Sequence, residues 1–77
     1  MTEKQLLIKL FNNETFLGCL SSESQSIIIL AIRDIYTMNL IDNRPIDFNL
    51  FLDHLKEYDI PADINAYLLI EIMEMFE

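Results

Sequence analysis

The 77-residue chain has one glycine, two prolines, one cysteine, one histidine and no tryptophan. Each shortage removes a class of function. With Gly18 alone, no glycine-rich loop can cradle a phosphate. A lone Cys19 forms no internal disulfide, and secreted domains of this size normally need several; a reducing, cytoplasmic setting is expected. Cys19 and His54 are too few to build a zinc set, so no metal site and no cofactor is expected. Around Cys19 there is no glycine-rich turn to supply an oxyanion hole, so nucleophilic catalysis is not expected either. The longest unbroken apolar run, Ile27 to Ile32, is far too short for a membrane span. The opening Met-Thr-Glu-Lys-Gln lacks the apolar region of a signal peptide. A soluble, non-enzymatic protein is the expectation.

Cations are also scarce, and unevenly so. Up to Arg33 the charges cancel: Glu3, Glu14 and Glu23 against Lys4, Lys9 and Arg33. From Asp34 onward ten acids face only Arg44 and Lys56, which accounts for the whole net charge of −8. Such a field repels phosphate backbones and anionic lipid and attracts basic protein surfaces. Direct nucleic-acid or membrane binding is therefore not expected.

Apolar residues are abundant. They make up 52% of the chain, which rules out a disordered acidic tail. A chain this short buries only about 60–65% of the surface it exposes when unfolded. It is not expected to hide all of Ile27, Ile28, Ile29, Leu30, Ile32, Ile35, Leu40 and Ile41. A partner or a second copy would cover the surplus.

The pattern predicts one all-α domain over 1–77, a small bundle of about four helices near 2–13, 23–41, 47–58 and 61–77, with a short helical turn near 14–20. Thr2 and Gln5 have capping-box spacing, followed by Leu6, Leu7, Leu10 and Phe11 at helical intervals. Asn12-Asn13 ends that segment. Ser22 and Gln25 offer a second capping box. In the helix that follows, Ser26, Arg33, Asp34 and Thr37 share one arc and apolar residues fill nearly all the rest, as in a central bundle helix. The β-branched run Ile27-Ile28-Ile29 would also suit a buried strand, but the segment is long for a strand without a turn.

Asp47 is the expected cap of the third helix, with Ile46 and Phe51 at hydrophobic-staple spacing. Phe48, Phe51, Leu52 and Leu55 form its inner face, and His54 is expected on the exposed side. The fourth helix should begin near Pro61 or Asp63. It would bury Ile64, Leu68, Leu69, Ile72, Met75 and Phe76, and carry Asp63, Tyr67, Glu71 and Glu74 in one outward stripe. Glu71, Glu74 and Glu77 lie at its C-terminal end, where the helix dipole disfavours acids, with no local cation to relieve them.

Size and acidity alone are like those of acyl carrier proteins. Their Asp-Ser-Leu attachment motif is missing, since Ser24 and Ser26 stand in Glu-Ser-Gln-Ser-Ile. No prosthetic group is expected. Once turn and cap residues are set aside, the candidate site is Asp53, Glu57, Asp59, Tyr67, Glu71 and Glu74. It is read as a docking face for a basic protein, a nucleic-acid binder among the candidates, so that the chain serves as an adaptor or inhibitor. The alternative is an assembly subunit that self-associates through its apolar surplus. Frequent isoleucine, common asparagine and sparse alanine lean toward an AT-rich source such as a virus, phage or low-GC bacterium.

Overall fold

Thr2 opens the first helix as its spacing predicts. Its hydroxyl accepts the Gln5 amide at 3.1 Å, and its own amide donates to the Gln5 side chain at 2.8 Å. The computed structural model describes residues 2–76. It contains five helices: α1 (Glu3–Phe11), α2 (Glu14–Cys19), α3 (Ser22–Asp42), α4 (Phe48–Leu55) and α5 (Ala66–Met75). No strand occurs among the described residues, so the β-branched run of α3 is helical.

The expected helical turn is α2, with Asn13 as N-cap accepting the Phe16 amide at 2.9 Å. α3 is the axis of the fold. At a helical rise of about 1.5 Å per residue it extends roughly 31 Å. That is close to the longest dimension of the molecule, 33 Å. Ile28, Ala31, Ile32 and Ile35 of α3 are fully or almost fully buried, against Leu6 and Leu10 of α1, Phe16 of α2, Phe51 and Leu55 of α4, and Leu68 and Ile72 of α5. Each large apolar side chain buried this way contributes roughly 1.5–3 kcal/mol. Phe76 closes the far side, with its ring centroid 5.8 Å from that of Phe51 and 6.2 Å from that of Phe48.

Two expected helix starts are displaced, each for a physical reason. α3 is capped by Ser21, not Ser22, so Gln25 falls one position past capping-box spacing. The side-chain amide of Gln25 instead donates to the Phe16 and Leu20 carbonyls at 3.3 and 3.2 Å, closing the C-terminal end of α2. α5 begins at Ala66, with Asn65 as its N-cap accepting from Leu68 at 3.1 Å. Asp63 does not start that helix because its carboxylate is committed elsewhere. It accepts the Ser21 amide at 2.9 Å and the hydroxyl of the fully buried Ser24. The Ser21 and then the Ser24 hydrogen bonds hold its pKa below the ordinary carboxylate value.

The other end of α3 stops where Asn43 turns into the left-handed region, at φ 54°, donating to the Asn39 carbonyl at 2.9 Å. Asn39 in turn donates to the Arg44 carbonyl at 2.7 Å. Asn tolerates this conformation better than most residues, and Pro45 prevents continuation. Asp47 caps α4 as expected, accepting from Leu50 at 2.8 Å. No helix among the described residues is long and apolar enough to cross a membrane.

Of the apolar residues of α3 expected to exceed what the fold can cover, some are hidden and some are not. Ile27, Ile28, Ile32 and Ile35 are buried and Ile29 is half-buried. Leu30 is exposed, while Leu40 and Ile41 are 85% and 70% exposed near the end of α3.

Candidate functional site

The six candidate residues occupy two places with different neighbours. Asp53 and Glu57 are exposed on α4 and in the turn after it, and Asp59 is exposed just beyond. This group faces α3 through His54. His54 is half-buried and not on an exposed face as expected, with only 14% of its side chain accessible. Its Nδ1 is buried without a hydrogen-bond partner and lies 3.9 Å from both Asp34 Oδ2 and Glu57 Oε2. The Tyr58 hydroxyl donates to Asp34 Oδ2 at 2.7 Å. That bond, with burial and the charges of Asp34 and Glu57 behind it, pushes the Tyr58 phenol above its ordinary value. Tyr58 and Asp34 thereby tie the end of α4 to the middle of α3.

The second group stands on α5. At 100° per residue, Tyr67, Glu71 and Glu74 share an arc of about 60°. Tyr67 is 83% exposed. Glu74 is exposed, whereas Glu71 is half-buried and has structural work to do. It accepts from the Asn13 side-chain amide at 3.2 Å and from the Thr15 hydroxyl at 3.5 Å, joining α5 to the junction of α1 and α2. The stripe expected to begin at Asp63 is shorter, because Asp63 lies outside α5.

The expectation that the acids ending α5 lack a local cation does not hold for Glu71 and Glu74, while Glu77 lies outside the described residues. Lys9 reaches across from α1 and donates to the Met75 carbonyl at 3.4 Å. A cation there complements the negative end of the helix dipole. Lys9, Asn12, Asn13, Glu71, Glu74 and Met75 line a shallow groove of about 570 Å³ between α1 and α5.

The exposure of Ile70 and the approach of Lys9 escaped the residue-by-residue reading. Ile70 is exposed one turn after Tyr67, and Met73 is exposed beside Glu74. Tyr67 and Ile70 make the outer side of α5 an apolar ridge interleaved with carboxylates, and Met73 lies on its flank. The spacing of Ile70 from Tyr67 was the available signal. The approach of Lys9 had none, since its partner is 66 residues away.

Among the described residues, no three His, Cys, Asp or Glu side chains group to hold a metal. Cys19 is exposed at the end of α2, on a different element from His54. No protein-family model, curated protein or solved structure matches the chain.

Proposed function

We propose that this all-α protein is a non-enzymatic interaction module, an acidic adaptor or inhibitor that docks through the outer ridge of α5 on a basic protein surface. The observation that carries this reading is the exposure of Tyr67. Its ring stands almost wholly in water, with Ile70 exposed one turn on and Glu74 exposed two turns on along the same side of the helix. That is the composition of an interface anchor. A large ring held in water gains nothing for the isolated fold. The ring would supply buried area on docking, and the acids would supply steering and orientation. Asp53, Glu57 and Asp59 enlarge the attractive field without belonging to the ridge. Glu71 contributes less than its charge suggests, because Asn13 and Thr15 already use its oxygens.

The test compares a captured partner's affinity for wild type, Tyr67→Ala and Glu74→Lys at low and high salt. Tyr67→Ala should weaken binding at both salt concentrations. Glu74→Lys should weaken it mainly at low salt, where charge is least screened. Equal affinity for all three proteins in both conditions would remove the ridge from the interface.

A further inference from the structure

The ridge of α5 fits a surface that is both apolar and basic, and α3 carries one. Ser26, Leu30, Arg33, Thr37, Leu40 and Ile41 are all exposed. They fall within an arc of about 100°. Between Ser26 and Ile41, Arg33 is the one exposed charged residue, since Asp34 at the edge of the arc is half-buried and bonded to Tyr58.

The two faces also match in spacing. Arg33 and Leu40 are seven residues apart, about 10.5 Å along the helix, and so are Tyr67 and Glu74. Laid antiparallel, the helices set Arg33 opposite Glu74, Thr37 opposite Ile70 and Leu40 opposite Tyr67. Arg33 meets the exposed Glu74 and the most exposed leucine meets the exposed ring. A parallel arrangement would instead put Leu40 against a carboxylate. Pairing α5 with a second α5 would crowd acids against acids.

We infer that a second copy of this chain docks by its α3 face on the α5 ridge, with Arg33–Glu74 and Leu40–Tyr67 as the defining pairs. The inference rests on the α5 ridge being the docking surface, and it names an occupant. Complementary charge favours this pairing, while the net charge of −8 on each copy opposes any close approach. The homotypic contact is therefore weak and specific, formed at high protein concentration.

Sedimentation equilibrium over a concentration series at fixed, near-physiological salt tests it. The proteins are wild type, Arg33→Glu, Glu74→Arg, an equimolar mixture of these two, and the double variant. Both side chains are exposed, and circular dichroism checks that every variant keeps its helical content. Wild type should self-associate, and each single reversal should weaken association roughly tenfold by turning an attractive pair repulsive. The mixture and the double variant should regain it, because opposite charges again meet across the contact, with their signs exchanged.

The Glu74→Arg result separates a specific pair from a general charge effect. This change makes the chain two units less negative, so simple repulsion would strengthen association where the pairing weakens it. Stronger association of Glu74→Arg, or a mixture no tighter than the single variants, overturns the inference. So does a wild type that stays monomeric throughout, a result that leaves the salt-dependent docking of another protein standing.

Discussion

The two ends of α3 are finished in opposite ways. At the N-terminal end, polar groups from three parts of the chain converge: Ser21 and Ser24, Asp63 from the approach to α5, and Gln25 turned back on α2. Ser24 there is fully buried. At the C-terminal end everything is local. Asn43 and Asn39 terminate the helix within a few residues, and Leu40 and Ile41 stand in water. One end is locked by distant residues for stability, while the other is left free. The surface that stability does not need is the surface available for contact.

Substitutions along the helix test that contrast, in descending order of effect. Ile28→Ala removes a fully buried side chain near the locked end. It should cost about 2–5 kcal/mol, a large part of the stability of so small a domain, as read by denaturant unfolding. Ser24→Ala deletes the hydroxyl shared between Ser21 and Asp63 and should cost about 1–2 kcal/mol by the same measurement.

The same junction has a pH signature. Because folding lowers the pKa of Asp63, its contribution is complete above the unfolded value, about 3.9, and is lost as pH falls through the folded value. The melting-temperature gap between wild type and Asp63→Asn should therefore be constant near neutrality and shrink below about pH 4. A gap that persists unchanged in acid would mean that the carboxylate charge is not what locks this end.

Asn43→Ala forces an ordinary side chain into the left-handed conformation and should lower unfolding stability by about 1 kcal/mol, while Asn43→Gly should be neutral or slightly stabilising. Leu40→Ala should change the monomer's stability by less than about 0.5 kcal/mol, as expected for an exposed site. A loss comparable to that of Ile28→Ala would show that this end is covered after all.

What could be read from the sequence follows the range of each interaction. Thr2 with Gln5, and Asp47 with the Leu50 amide, are contacts three residues apart, and their residue types announce them. The helical class and the inner faces of α4 and α5 came from apolar periodicity, which a small bundle obeys closely. The start of α5 was misplaced because Asp63 looks like a cap by local rules, yet its partners lie 42 and 39 residues away. The Ser22–Gln25 box failed similarly, since carbonyls of α2 claim the Gln25 side chain. On the α5 ridge, Tyr67 and Glu74 were legible as outward positions. The division of labour between Glu71 and Glu74 was not, because it depends on Asn13 and Thr15 arriving from the other end of the chain.

That arrival sets an order of events during synthesis. Lys9 and Asn13 meet partners at Met75 and Glu71, 66 and 58 residues further along. On the ribosome α3 and α4 can pair before α5 has emerged, whereas α1 waits for α5 to complete its surroundings. Closing that long loop costs entropy that only the completed core repays. During that interval Leu6 and Leu10 lack their full cover, and the nascent chain is then most open to a chaperone or to a wrong partner.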